Sequence, residues 1–174
     1  MLSLTSLRHK LVMQIPAAVL TLGMMWFFPF LVHFFPAISA VPLGSQLLPI
    51  FYAPLLAAWL FNPFVGLACS LLMPFINHAL TGLPEMNVAV MLSIELSVFS
   101  LALMVFRKSG ARLPVFAPLA LIVAKVFSSL VLFILPIMPV TPWAYFTSSL
   151  ITAIPGLIIL FVINFALLGL PDER

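Results

Sequence analysis

Six apolar stretches, at about 11–33, 47–61, 63–80, 88–106, 113–135 and 144–168, take up most of this chain. The stretch at 88–106 holds one charged residue, Glu95, that at 113–135 holds Lys125, and the others hold none. A helix needs about 20 apolar residues to cross roughly 30 Å of hydrocarbon, and the alternation of a membrane barrel strand is absent. The pattern predicts an all-α membrane protein, a bundle of six transmembrane helices forming one domain over residues 1–174. Only 6% of the 174 residues are charged, against about 25% in a soluble domain. A water-facing surface could not be covered. Seven Lys and Arg against four Asp and Glu make no basic patch, so nucleic-acid binding is excluded. The lone Cys69 allows neither a disulfide framework nor a cysteine metal site.

The second and third stretches are short, and Asn62-Pro63 is the expected turn between them. Orientation follows from the cations. Arg8 and Lys10 precede the first stretch, Arg107, Lys108 and Arg112 lie between the fourth and fifth, and Arg174 ends the chain. With six spans all fall on one side, which the positive-inside rule makes cytoplasmic, together with both termini. The expected location is the inner (cytoplasmic) membrane, crossed several times. The first apolar run is too long for a signal-peptide core and lacks a small-residue cleavage site, so it reads as a mature helix. Pro16, Pro29, Pro54, Pro74, Pro118 and Pro155 fall inside the stretches. They suit either ordinary kinking or broken helices around a cavity.

Glu95 and Lys125 are expected near mid-membrane, where a charge costs on the order of 2.5–3.5 kcal/mol on insertion scales. Each must face protein or water. On the fourth helix Ser93, Ser97 and Ser100 form a stripe nearly opposite Glu95, which reads as a packing face. Lys125 shares its face with Pro118, Ser129 and Leu132. Two readings stay open: an ion pair that only holds helices together, or charges that line a site. On the third helix Pro63, Gly66, Ser70, Pro74, Asn77 and Thr81 make a small and polar face that must turn inward, with Asn77 and Thr81 near its outer end. His78 lies off that face. Ser148 and Thr152 are one turn apart in the outer half of the sixth helix, and Asn164 reads as interhelical glue near the cytoplasmic end.

Catalytic chemistry is poorly supported. His33, His78, Glu85 and Glu95 lack the spacing of a metal motif, no serine has a nucleophile-elbow context, and no Gly-rich phosphate loop exists. An enzyme and a bound cofactor are therefore not expected. A ligand-free assembly subunit, a stand-alone ion-coupled transporter and a proton or ion channel through Glu95, Lys125 and His78 remain alternatives.

Three segments, FPFLVHFFPAI (28–38), LLPIFYAPLLAAWLFNPFVGLACSLLMPFINHALTGLPE (47–85) and MLSIELSVFSLAL (91–103), follow one another in an order that resembles one family. It is that of the substrate-binding (S) subunits of energy-coupling factor transporters. Leu83 stands where relatives usually have Met, and Phe99-Ser100 where they often have Tyr-Gly. The resemblance implies a six-helix subunit that binds a vitamin or similar small water-soluble metabolite from outside, near the loops after helices one and three and the outer parts of helices four to six. Carried onto this sequence, the implied site residues are His33, Asn77, His78, Thr81, Gly82, Glu85, Glu95, Lys125, Trp143 and Ser148. Glu95 and Lys125 would meet a zwitterion or polar heterocycle, and Trp143 and Tyr145 would stack on a ring. The implied partners are a membrane coupling subunit and two cytoplasmic ATPases, with Ala17 and Thr21 as the small-residue docking pair.

Overall fold

The computed structural model describes residues 4–34, 42–109 and 113–170, with side chains from Gln14 onward except that of His33. All regular structure among the described residues is helical. The elements are α1 (Leu4–His33), α2 (Leu43–Leu47), a 3-10 turn at Pro49–Phe51 leading into α3 (Tyr52–Leu60), α4 (Pro63–Thr81), α5 (Met86–Lys108), α6 (Phe116–Ile134), α7 (Pro142–Thr152) and α8 (Ile154–Leu168). Helices α1, α4, α5 and α6 are each long and apolar enough to cross a membrane. The pair α7–α8 makes a fifth such length, bent by 59°. This is the architecture of a multi-pass membrane protein.

The second apolar stretch folds as helix but not at full length. The 3-residue turn and the 9-residue α3 together reach about 18 Å at 1.5 Å per residue, short of roughly 30 Å of hydrocarbon. Its apolar character has another cause. Phe51, Ala53, Pro54, Leu55, Ala57 and Ala58 are buried, with α1, α4 and α5 packed around them. Helices α3 and α4 are separate and lie against each other. Asn62 makes the turn between them: its side-chain oxygen accepts from the Phe64 N–H at 2.9 Å, and Pro63 starts the helix where no N–H is needed.

Proline mostly begins helices here. Pro54, Pro118 and Pro155 fall in the first turns of α3, α6 and α8, where the orphan N–H positions cost nothing. Pro155 divides the last apolar stretch. Pro16, Pro29 and Pro74 do lie inside helices.

Packing is closest where side chains are smallest. A Cβ on Gly66 would lie 3.2 Å from the Pro54 carbonyl oxygen and 3.4 Å from the Ala57 Cβ, which sets the approach of α4 to α3. Ser70 and Ser100 join α4 to α5 at 2.9 Å, and Ser93 donates to the Leu71 carbonyl at 2.8 Å. The serine stripe of α5 thus faces α4, and Glu95 is left to face α6. Leu48, in the left-handed region at φ 56°, lays its side chain over Gly156 of α8. A Cβ on Gly156 would lie 2.8 Å from Leu48 Cγ and 2.9 Å from the Gln46 carbonyl oxygen.

One of those two neighbours is backbone and cannot yield like a side-chain tip. Gly156→Ala is therefore expected to destabilise the fold by about 1–3 kcal/mol, the range for overpacking. Gly23→Ala, which meets nothing within 4 Å, should leave stability equal or higher. Thermal unfolding of both variants in detergent checks this.

Candidate functional site

The charges of α5 and α6 find each other. Lys125 Nζ lies 2.7 Å from Glu95 Oε2, with both side chains buried. The other carboxylate oxygen, Oε1, accepts from Ser128 Oγ at 2.9 Å and from the Tyr145 hydroxyl at 2.7 Å. Hydrogen bonds to an ionised carboxylate are short and roughly twice as strong as neutral ones, so three donors from two helices hold Glu95. The ammonium also lies 5.8 Å from the centre of the Tyr145 ring, within the range of a cation–π contact. A lysine carries three donors. Only one meets a hydrogen-bond acceptor among the described residues.

Local sequence places these groups. Lys125 and Ser128 are three residues apart on α6 and so share a face. Ser129, next along, donates to the Lys125 carbonyl at 2.7 Å. Tyr145 arrives on the first turn of α7, which Thr141 starts by accepting from the Ala144 N–H and Pro142 by occupying the first helical position. Beside the cluster, α6 and α7 do not close. Val126, Ser129, Leu130, Phe133, Pro142, Trp143 and Phe146 line a groove of about 230 Å³ that is apolar almost throughout.

The residues expected around the third helix form a different group. Gly82 ends α4 in the left-handed region (φ 75°), its N–H donating to the His78 carbonyl at 2.8 Å, the cap that glycine adopts without a Cβ penalty. The Thr81 hydroxyl reaches the Asn77 and Leu83 carbonyls at 2.8 and 2.9 Å. His78 Nδ1 is 2.8 Å from the Pro84 carbonyl. A carbonyl only accepts, so Nδ1 carries the proton. These contacts shape the turn into α5. Asn77 differs, because its side-chain oxygen is buried with no partner among the described residues. Glu85 is exposed at the start of α5 and caps nothing with its side chain. The side chain of His33 lies outside the described residues, as do those of Arg8, Lys10, Arg112 and Arg174.

On α7, Trp143 is 72% exposed and walls the groove. Ser148 is exposed and donates to the Ala144 carbonyl at 2.6 Å, within its own helix. The expected docking pair on α1 faces the wrong way. Thr21 is fully buried in the chain's own bundle and donates to the Ala17 carbonyl at 2.7 Å. Its helix is held there by α4, where the Cys69 thiol lies 3.7 Å from the Ala18 carbonyl. The open face of α1 carries Ile15, Val19, Trp26 and Phe30 instead.

Asn164 is fully used as a tie. It accepts from Trp59 Nε1 at 3.0 Å and donates to the Leu113 and Pro114 carbonyls, both at 3.0 Å. Arg107 lies over the Trp59 ring at 5.4 Å. Among the described residues, no three His, Cys, Asp or Glu side chains gather to hold a metal ion. Ser128 escapes the sequence reading altogether. Its one signal is the three-residue spacing from Lys125.

No known protein family, curated protein or solved structure matches this chain.

Removing one partner from a buried ion pair typically costs about 3–5 kcal/mol, while removing both charges can be neutral. Glu95→Gln and Lys125→Met should each destabilise the protein by roughly that amount. The double variant should lose clearly less than the sum of the two. Unfolding of the three purified variants against denaturing detergent measures the coupling.

Proposed function

We propose that this chain is the membrane-embedded binding subunit of an uptake system of the energy-coupling factor type, taking a vitamin or similar small metabolite. A separate membrane coupling subunit and two cytoplasmic ATPases supply the energy. The observation that carries this reading is the Glu95–Lys125–Ser128 cluster, buried mid-helix on α5 and α6 and joined by Tyr145 from the first turn of α7, beside a groove walled by Trp143 and Phe146. Two charges desolvated together are a costly way to fasten helices, and intramembrane ionisable groups commonly mark a substrate path. The motifs at 28–38, 47–85 and 91–103 support the same reading. The absence of a phosphate-binding loop from the sequence supports a separate motor. In this reading the subunit crosses the cytoplasmic membrane with Arg107 and Lys108 inside, and its partners meet the open apolar face of α1.

A second reading has its own support. Both oxygens of Glu95 are satisfied within the chain, as they would be in a ligand-free assembly subunit whose charges only pair helices.

Topology is tested with single cysteines, because the native Cys69 is buried. Cysteines replacing the exposed Ser45, Glu85 and Pro139 should react with an impermeant thiol reagent on intact cells, and one replacing Ser109 should not. Labelling at Ser109 from outside rejects the orientation.

Transport is tested by co-expression and reconstitution. Affinity purification should recover a membrane coupling protein with two ATPases, and the chain alone in sealed liposomes should bind its substrate without concentrating it. Accumulation driven by a proton or sodium gradient with no ATPase present would make the protein a secondary transporter. A well-folded chain that recovers no such partners and binds nothing would favour the assembly subunit.

A further inference from the structure

Helix α7 is held differently from α6 and α8, its neighbours in the bundle. None of its residues is fully buried. Thr147, Ser148 and Ser149 spend their hydroxyls on carbonyls of α7 itself. Among the described residues, its one side-chain hydrogen bond to another helix is that of Tyr145 to Glu95. Helix α7 packs against α6, but a groove of about 230 Å³ opens between them at Trp143 and Phe146. Helix α8, by contrast, is fixed by Gly156 under Leu48, by the buried Leu160 and by the three hydrogen bonds of Asn164. The two meet at a 59° break, where Pro155 removes an N–H from the first turn of α8. A lightly held arm therefore joins a fixed base at a break in the helical hydrogen bonding. Hinges are commonly a few element-terminal residues of this kind.

The group holding the arm also covers the charges. The Tyr145 phenol does two things at once: its hydroxyl donates to Glu95 Oε1 at 2.7 Å, and its ring lies 5.8 Å from the Lys125 ammonium. If α7 swings away, Glu95 loses a donor and Lys125 loses its aromatic neighbour, while the pair stays mutually neutralised. The vacancy then calls for an uncharged molecule, since a net charge would unbalance a neutral buried pair. It calls for a ring, to face the ammonium, and for a donor, to satisfy the carboxylate. The adjoining groove wall is apolar and suits the remainder of such a molecule.

We propose that α7 is a hinged gate latched by Tyr145, and that the ligand admitted beneath it is an uncharged aromatic or heteroaromatic ring bearing an O–H or N–H donor, which takes the place of the tyrosine phenol. This rests on the reading of the Glu95–Lys125 cluster as a binding site and narrows its substrate class.

The test reads the α6–α7 distance in the full chain, in phospholipid nanodiscs. Spin labels sit on cysteines replacing Val123 and Ser148, both exposed, with Cys69→Ala to remove the native thiol. The chain with Tyr145 intact should give one narrow distance. Tyr145→Phe keeps the ring and drops the donor. It should enlarge a longer-distance population roughly tenfold or more, the worth of a hydrogen bond to a charged group. Ser128→Ala removes the other hydroxyl from the same carboxylate oxygen and should lower the melting temperature without lengthening the distance. With Tyr145 intact, millimolar phenol should raise the longer population and toluene, a ring without a donor, should not.

An unchanged distance in Tyr145→Phe, or equal opening in Ser128→Ala, overturns the latch. Equal responses to phenol and toluene overturn the ligand class. A gate that stays shut while a coupling protein and ATPases co-purify rejects this inference and leaves the transport reading. Phenol-selective opening in a chain that recovers no such partners does the reverse.

Discussion

Two opposite charges, each on a helix of its own and each too costly to leave alone in hydrocarbon, set the arrangement of this molecule. Glu95 and Lys125 meet at 2.7 Å because α5 and α6 run antiparallel in a register that also stacks Phe106 on Phe116 near one end, with ring centres 4.9 Å apart. Once Glu95 faces α6, the opposite side of α5 is free for close contact with α4. Ser70, Ser93 and Ser100 make that contact with small polar side chains that satisfy one another or the backbone. Everything packed on α4, the short α3 included, inherits its position from that choice.

Much of this arrangement is legible in the residues. The cost of burial singles out Glu95 and Lys125 without any knowledge of the fold, and the helical wheel of α5 separates serines from glutamate as the structure does. Asn164 is readable as glue and is used as glue. Asn62-Pro63 and Thr81-Gly82 carry turn chemistry that the chain uses as such. What surrounds the short second helix is not legible. A run of apolar residues looks the same whether lipid or neighbouring helices surround it, and at Phe51–Ala58 the neighbours are helices. Ala17 and Thr21 mislead for a related reason: small residues mark a close contact but not whether its partner is another protein or the chain's own α4.

The candidate site is less legible than the bundle. Tyr145 lies 50 residues from Glu95, and no local pattern ties an aromatic hydroxyl to a distant carboxylate. Ser128 looks like one more small packing residue until α5 is laid beside it. The loop group at Asn77–Glu85 shows the opposite. The resemblance makes its residues ligand contacts, yet Thr81 and Gly82 satisfy carbonyls at the end of α4 and His78 bonds the Pro84 carbonyl in the turn. Within that group Asn77 keeps a buried side-chain oxygen with no partner among the described residues.

The ion pair also orders how the chain is made. A helix carrying Glu95 leaves the ribosome before the helix that neutralises it, and it faces the insertion cost of an unpaired charge while it waits. Only residues 109–115 separate α5 from α6, so the two enter the bilayer most cheaply as one hairpin with the charges already joined. Arg107 and Lys108 close the last turn of α5, where cations complement the helix's unsatisfied carbonyls. The short connection is thus a timing device, and lengthening it would extend the interval in which a half-made protein exposes a bare carboxylate to lipid.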